Sequence, residues 1–193
     1  MNIEINIPDA KKGDWEIETF EVSQDEADRF NLIEDINPHR GRRYIKPGVY
    51  KRLLRNNKTV MTNTPAEIRD HLQFIQNARV LGGDILINGL GLGVALSAIL
   101  QSEKVESVTV VEISQDVIDL VGPYFTDSRV NIIGDDAFSW KSPKNKAYNV
   151  VWHDVWDNIC RDNLKEMSKL HRRYGKKAYW QGSWCKDECK LHY

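Results

Sequence analysis

The hydrophobic pattern of the chain changes near residue 60. Before that point, apolar and polar residues alternate in two short stretches, Asn2–Ile7 and Trp15–Val22, with a period typical of half-buried strands. After it, short runs rich in β-branched residues alternate with segments of helical spacing. The pattern therefore predicts a small strand-rich segment over residues 1–60 and an α/β domain over residues 61–193.

A helix start signal opens the second part. Thr64 precedes Pro65, and Glu67 lies three residues after Thr64, which is the arrangement of a capping box with proline at the first helical position. Apolar residues then recur at helical spacing from Ile68 onward. We therefore expect one helix over residues 65–78, capped by the Thr64 hydroxyl and the Glu67 carboxylate.

Strands and helices then alternate along the rest of the chain. The predicted strands are Asp84–Asn88, Val108–Glu112, Val130–Ile133, Tyr148–Asp154 and Ala178–Gln181. The predicted helices are Val94–Leu100, Gln115–Val121 and a third that begins after Asp162 and ends before Gly175. This order predicts a Rossmann-like doubly wound parallel sheet with helices on both faces.

Composition narrows the classes of partner. Among 193 residues, 27 are Lys or Arg and 28 are Asp or Glu, so the net charge gives no reason to expect nucleic acid or an anionic membrane. No apolar run approaches the ~20 residues of a membrane helix, and the N-terminus does not resemble a secretory signal. Three cysteines are too few for a disulfide framework. We expect a cytoplasmic protein.

A glycine-rich loop follows the first predicted strand of the second part. Gly89, Gly91 and Gly93 stand between Asn88 and the predicted helix that begins at Val94. Glycine permits a sharp turn and the close approach of a ligand because it has no Cβ, and a helix start offers free N–H groups. The loop alone fits either a nucleotide-type ligand or a tight turn made for packing.

Acidic residues end the next two strands. Glu112 follows the glycines by about 20 residues, a position from which a carboxylate can accept hydrogen bonds from both hydroxyls of a ribose. Asp135, Asp136 and Ala137 follow the third predicted strand, where a carboxylate can accept from an adenine amino group. Glu112 fits both NAD and S-adenosylmethionine, so the turn at residues 135–137 is the feature that favours S-adenosylmethionine.

Together these motifs resemble class I S-adenosylmethionine-dependent methyltransferases. The segments that carry the resemblance are LINGLGLG, VTVVEIS, IIGDDAF and YNVVWHDVWD. They are especially similar to the spermidine synthase-like branch, which also has a small strand-rich segment before its glycine motif, and to short methyltransferase-like proteins of bacteriophages. Many methyltransferases have an acid at the position of Ile87, but the spermidine synthase-like branch is often apolar there.

The resemblance implies S-adenosylmethionine as cofactor and a role for each motif. The glycines would border the methionine part, Glu112 would hold the ribose, and Asp136, or Asp135 in its place, would contact adenine. The residues expected to hold the cofactor are Gly89, Gly91, Gly93, Glu112, Asp135, Asp136 and Ala137.

The fourth predicted strand ends beside the expected reacting centre. Methyl transfer from a sulfonium depends mainly on positioning, with a base where the acceptor carries a proton. Asp154 is the first candidate for that base or for an amine anchor, and Asp157 is the second. His153 would point to the opposite face of the strand, which favours a structural role. Trp152 and Trp156 fit either a pocket wall or the core.

The expected reaction is methyl transfer to a small molecule such as an amine. Two alternatives stay open. One is a polyamine aminopropyltransferase-like enzyme, because Asp154 and Asp157 resemble the paired acids of that family. The other is a module that binds S-adenosylmethionine without transfer. The sequence ends soon after the fifth predicted strand, and we expect a homodimer to cover the open edge of the sheet.

Two cysteines and a histidine lie near the C-terminus. Cys185, Cys189 and His192 have a spacing that zinc could accept, but a structural zinc site needs four ligands. We therefore expect no metal and a frayed terminal segment.

Overall fold

The computed structural model describes residues 3–36 and 43–191. Within them, the chain forms a four-stranded antiparallel sheet and a five-stranded parallel sheet. The first sheet contains β1 (Ala10–Lys12), β2 (Trp15–Val22), β3 (Gly48–Arg55) and β4 (Lys58–Thr62). The second contains β5 (Gly83–Asn88), β6 (Val105–Glu112), β7 (Val130–Gly134), β8 (Tyr148–His153) and β9 (Ala178–Ser183).

Seven α-helices accompany the sheets in the described residues. They are α1 (Gln24–Ile36), α2 (Pro65–Asp70), α3 (Leu72–Leu81), α4 (Val94–Leu100), α5 (Gln115–Val121), α6 (Asn163–Tyr174) and α7 (Lys186–Leu191), and a 3₁₀ turn (Gly122–Tyr124) follows α5. The helices predicted at residues 94–100 and 115–121 are confirmed at both ends, and so are all five predicted strands of the parallel sheet, with small differences in length.

The parallel sheet is buried on both faces, as the apolar runs of its strands predict. Alternate residues of β5 point to opposite sides: Ile85 and Ile87 belong to the core that includes residues of α3, α4 and α5, and Leu86 belongs to the core that includes residues of α6. The predicted Rossmann-like doubly wound arrangement is confirmed.

The strand order places a crevice beside β5. The order is β7-β6-β5-β8-β9, so the chain leaves β5 toward β6 on one side and later returns to β8 on the other. Ligands of open α/β sheets bind outside the carboxyl ends of the strands at such a switch point. The glycine loop after β5 and the acidic segment after β8 both lie at that edge.

The first part of the chain differs from its prediction in two ways. Residues 3–9 form no regular strand, although Ile3, Ile5 and Ile7 are buried, so alternation here reflects packing onto the core without a ladder partner. The helix α1 was not expected in a strand-rich segment. Its mixed polar and apolar sequence gives only a weak helical pattern. The division into two parts at residue 60 stays a prediction; the antiparallel sheet itself ends at Thr62.

The helix predicted over residues 65–78 is wrong as a single element. His71 separates α2 from α3, with its N–H bonded to the Ile68 carbonyl, three residues back, at 3.2 Å. The capping box is also absent. The Thr64 hydroxyl pairs with the Thr62 hydroxyl at 2.9 Å, and the Glu67 side chain is buried instead of reaching back to the helix start. The break leaves His71 fully enclosed.

The C-terminal segment is also more ordered than predicted. Residues 186–191 form α7, and the Cys185 and Cys189 side chains are buried as free thiols, so the expectation of a frayed end is wrong for these residues. His192 lies outside the described residues. Among those that are described, no helix is long and apolar enough to cross a membrane.

Candidate functional site

A cavity of about 560 Å³ lies at the carboxyl ends of β5, β6 and β8. Both sheets contribute to its wall. The predicted site residues that line it are Gly89, Gly91, Glu112, Asp136, Ala137, Asp154 and Asp157. Another cavity of about 480 Å³, beside α7 and β9, contains none of them. The structure thus brings together seven side chains and loop positions that the sequence placed in four separate motifs.

The glycine loop passes between β8 and the antiparallel sheet. Gly89 has φ +99°, and a Cβ built on it would lie 1.8 Å from the Asp154 carbonyl oxygen. Gly91 has φ +51°, and a Cβ there would lie 2.5 Å from the Met61 sulfur, which also accepts a hydrogen bond from the Leu92 N–H at 3.3 Å. Both glycines are therefore required by close approach as well as by the left-handed backbone.

Gly93 has a different surrounding from the other two glycines. It precedes α4 with φ +72°, and a Cβ built on it would meet the Phe125 ring at 2.2 Å. It does not line the cavity. Its backbone shapes the loop, and its missing side chain makes room for packing on the far side.

Glu112 is buried and fixed by the backbone. One carboxylate oxygen, Oε2, accepts from the Leu90 N–H at 2.8 Å, and Oε1 accepts from the Ser114 N–H at 2.9 Å. Each oxygen keeps a second acceptor position. The carboxylate therefore ties β6 to the glycine loop and can still receive the two hydroxyls of a ribose.

The turn after β7 separates its two neighbouring aspartates. Asp136 lines the cavity with Ala137 and Phe138, and its Oδ1 accepts from the Phe138 N–H at 2.9 Å. Asp135 lies outside the cavity wall, where its Oδ1 accepts from the Asp136 N–H at 2.7 Å. Of the two alternatives for the adenine contact, the structure places Asp136 at the cavity.

Three buried polar side chains form the opposite end of the site. His71 Nε2 lies 3.9 Å from Glu67 Oε1 and 3.9 Å from Asp154 Oδ2. The Glu67 and Asp154 side chains are 9% exposed, and that of His71 is 0% exposed. Neither ring nitrogen of His71 has a hydrogen-bond partner among the described residues. We call these three residues the acidic end.

Burial controls the charge of the acidic end. Desolvation, together with the nearby Asp70, raises the pKa of Glu67 to about 8, although Arg43 opposes the shift. Desolvation and the neighbouring acids, Glu67 first, raise the pKa of Asp154 well above its ordinary value. Burial lowers the pKa of His71 to about 4. These surroundings therefore favour neutral carboxyl groups and a neutral imidazole at neutral pH.

Among the described residues, Arg43 is the cation in contact with this end. Its Nη2 lies 2.6 Å from Asp70 Oδ2 and 3.4 Å from Glu67 Oε2. Burial raises the pKa of Asp70 to about 6 in spite of that partner. Arg43 lies on the outer side of Glu67, since it does not line the cavity and Glu67 does. Among the described residues, Arg55 at the rim is the only arginine or lysine that lines the cavity, so none of them faces the inner side of the acidic end directly.

Asp157 and the neighbouring aromatic residues take distinct places. Asp157 is half exposed at the cavity rim, where Arg55 Nη1 lies 3.7 Å from its Oδ2. Trp156 lines the cavity and donates its indole N–H to Glu166 at 2.8 Å. Trp152 is core, stacked on Phe74 with ring centroids 5.3 Å apart.

His153 points away from the cavity, as its strand position predicts. Its Nδ1 pairs with the Asn88 side-chain amide at 2.7 Å, and its Nε2 with Gln181 Oε1 at 3.3 Å. The ring is fully buried. This contact set agrees with the structural role predicted for His153.

Sequence reasoning missed Glu67 and His71 as site residues. Glu67 was assigned to a helix cap, and His71 to no role. Their spacing of four residues puts both on one face of the predicted helix, but the capping signal accounted for Glu67 and no local pattern marked His71 as buried. The C-terminal cysteines add nothing to this site: among the described residues, no group of three or more histidine, cysteine or acidic side chains could hold a metal ion.

Comparison with known proteins gives sequence matches to one kind of enzyme and many similar folds. No family profile matches the chain. The chain is 28% identical over 145 residues to the polyamine aminopropyltransferase of Buchnera aphidicola subsp. Acyrthosiphon pisum. The aligned region covers 69% of this chain and 51% of that protein. The chain thus spans about half the length of the curated relatives it matches.

Solved structures with a similar fold include enzymes of two kinds. Spermidine synthase from Thermotoga maritima has a TM-score of 0.49 and 16% identity, over 85% of this chain and 52% of that one. The CcbJ methyltransferase from Streptomyces caelestis has a TM-score of 0.45 and 19% identity, over 59% and 45%. The predicted resemblance to methyltransferases and to the spermidine synthase-like branch is confirmed as a likeness. The likeness to bacteriophage proteins stays a prediction.

Proposed function

We propose that this chain binds S-adenosylmethionine in the 560 Å³ cavity and transfers its methyl group to a small molecule that carries an amine. The observation that carries the proposal is the continuity of the cavity, which joins the glycine loop and Glu112 to the acidic end at Asp154. One ligand and its reaction partner would then share a single enclosed space at the switch point of the sheet.

The residues at the first end fit the cofactor. Glu112 offers two fixed acceptor oxygens for ribose hydroxyls, and Asp136 offers an acceptor beside Ala137 and Phe138 for adenine. Gly89 and Gly91 leave the loop open to the methionine part. Since each of these positions is held by backbone hydrogen bonds or close packing, the first end is preorganised for binding.

The acidic end fits an amine. S-adenosylmethionine supplies an electrophilic methyl group on a sulfonium, so this chain has to position the acceptor in line and remove its proton. Asp154 can take that proton in its ionised form, which an ammonium group beside it would favour, and its raised pKa makes the ionised form a stronger base than an ordinary aspartate. Glu67, which also lines the cavity, provides a further acceptor for the N–H groups of the amine, and His71 lies outside the cavity wall with its Nε2 3.9 Å from both carboxyl groups.

A second candidate function is aminopropyl transfer. The sequence relatives named above favour it, because they are polyamine aminopropyltransferases. The two reactions would share the fold, the first end and the acidic end, and they differ in the form of the cofactor. A module that binds S-adenosylmethionine without any transfer is the remaining alternative, and its site would need no acceptor end.

Calorimetry and a transfer assay test these functions together. We expect S-adenosylmethionine and S-adenosylhomocysteine to bind with dissociation constants well below ~1 mM, about −4 kcal/mol. Methyl-labelled cofactor incubated with primary amines should then give labelled product. Tighter binding of decarboxylated S-adenosylmethionine, with aminopropyl product, would favour the second function instead. If none of the three ligands binds below ~1 mM, cofactor binding itself is wrong.

A further inference from the structure

An arginine from the antiparallel sheet reaches across the mouth of the cavity. Arg55, at the end of β3, places its Nη1 3.7 Å from Asp157 Oδ2, and its guanidinium carbon stands 5.3 Å from the centre of the Trp15 ring. All three side chains line the cavity. Arg55 and Asp157 are both 53% exposed, so the pair stands at the rim and not in the interior.

Because of this contact, the two predicted acids after β8, Asp154 and Asp157, have different electrostatic surroundings. Asp154 is buried deep in the site, and in the part of the chain that the structure describes no arginine or lysine pairs with it. Asp157, three residues later, already faces a guanidinium. An amine anchored at Asp154 whose chain extended to the rim would bring any second ammonium group against Arg55 as well as Asp157. Repulsion from Arg55 would offset the attraction of Asp157.

Trp15 keeps the guanidinium in this position. A cation over an indole face is held more firmly than one in open solvent, and the aliphatic part of an arginine can pack along the ring. Arg55 is therefore not a freely moving surface side chain that a ligand could displace at no cost. It has an aromatic contact on the first sheet and an ionic contact on the segment after β8.

We propose that Arg55 is a specificity-determining residue that restricts the acceptor to molecules with a single ammonium group. This inference rests on the proposed function, since it assumes that an amine enters the acidic end. Arg55 occupies, with its own charge, the rim position that a diamine would need. A monoamine has no charge at that position and is not affected.

Arg52 offers a matched control on the same strand. Its guanidinium carbon also stands 5.3 Å from an aromatic ring, that of Phe20, and its Nη2 lies 2.7 Å from Glu18 Oε2. Arg52 does not line the cavity. Replacing either arginine with alanine removes one charge, one cation–π contact and one exposed ion pair from β3, but only Arg55→Ala alters the cavity mouth.

The experiment measures the binding of two amines of equal length, n-butylamine and 1,4-diaminobutane. The full chain is titrated with each amine by calorimetry in the presence of S-adenosylhomocysteine. Arg55→Ala should improve the affinity for 1,4-diaminobutane over that for n-butylamine by about fivefold, the effect of one exposed charge pair. Arg52→Ala should leave this ratio within about twofold of the unmodified protein. Added Asp157→Asn should abolish the gain, because the second ammonium then loses its partner.

The possible results separate the inference from the function on which it rests. An unchanged ratio in Arg55→Ala, with both amines still binding, would overturn the role of Arg55 alone. An equal gain in Arg52→Ala would also overturn it, because the effect would then be one of net charge. If neither amine binds any of the variants while S-adenosylhomocysteine does, the amine acceptor is wrong and the inference fails with it.

Discussion

The two ends of the cavity are built in opposite ways. We use "cofactor end" for the first end, the part of the cavity where we propose that the cofactor binds. Its acids accept hydrogen bonds from backbone N–H groups, as Glu112 does from Leu90 and Ser114. At the acidic end, Glu67, His71 and Asp154 are buried without such donors, and their pKa values are strongly displaced. The first end is stabilised by its own fold. The second buries ionisable groups against the cost of desolvation, which is typical of functional sites.

The largest effect should come from the point where the two ends touch. Gly89→Ala would place a Cβ 1.8 Å from the Asp154 carbonyl at a left-handed backbone position, so both ends would shift. We expect a loss of about 3 kcal/mol or more in the free energy of unfolding, measured by denaturant titration. Gly122→Ala is the control. Its φ is −53°, and a Cβ there would lie 3.4 Å from Ile132 Cδ1, so the free energy of unfolding should change by no more than about 1 kcal/mol. Equal losses would contradict the close approach at Gly89.

Glu112→Gln tests whether the cofactor end depends on its fixed carboxylate. The amide has one acceptor oxygen in place of two, so it cannot serve Leu90, Ser114 and both ribose hydroxyls together. We expect S-adenosylhomocysteine to bind roughly 30-fold more weakly, about 2 kcal/mol, by calorimetry. The exposed Glu106 on the same strand provides the control Glu106→Gln. An unchanged affinity in Glu112→Gln would remove this residue from the site.

The free energy of unfolding of Glu67→Gln, measured over a range of pH, should show how far ionisation of the buried Glu67 destabilises the unmodified protein. Glu67 keeps its proton in the folded protein up to about pH 8 but loses it near 4.5 when unfolded. Its contribution to the free energy of unfolding is therefore full below pH 4.5 and declines as the pH rises to 8. Glutamine cannot ionise, so the stability of the variant relative to the unmodified protein should rise as the pH increases from 5 to 8. The exposed Glu103→Gln should show no such trend. A flat difference for Glu67→Gln would mean that this carboxyl is not buried as described.

The smallest effect concerns the choice between two adjacent aspartates. Asp136 lines the cavity, and Asp135 does not. Asp136→Asn should weaken S-adenosylhomocysteine binding by about fivefold, one hydrogen bond to the adenine amino group, while Asp135→Asn should change it less than about twofold. The inosine analogue, which lacks that amino group, should bind the unmodified protein and Asp136→Asn alike. The reverse pattern would assign adenine to Asp135.

The same contrast explains what the sequence could predict. The cofactor end lies in segments that directly follow consecutive strands, so local patterns at Gly89, Glu112 and Asp136 carried the information. The acidic end depends on the break at His71, which turns Glu67 and His71 inward toward Asp154. A capping signal at Thr64 pointed to a regular helix instead, because tertiary burial of His71 does not appear in any local pattern.

The antiparallel sheet illustrates a second limit. Its β3–β4 hairpin turns at Asn56 and Asn57, which both have positive φ, and paired asparagines are a recognised hairpin signal that sequence analysis overlooked. The contact of Arg55 with Asp157 could not have been found in this way. It joins Arg55 at the end of β3 to a residue of the segment after β8, 102 positions later, and only the packing of the antiparallel sheet against the α/β domain brings the two together.

The raised pKa of Glu67 also has a thermal consequence for ligand binding. An ammonium group that settles against this carboxyl below pH 8 favours its ionised form, so a proton leaves the complex for the buffer. The heat of amine binding should therefore change with the ionisation enthalpy of the buffer, although the affinity at one pH does not. Under the proposed function, amine binding at this site would exchange a proton for an ammonium ion, and calorimetry in buffers of different ionisation enthalpy would detect the released proton.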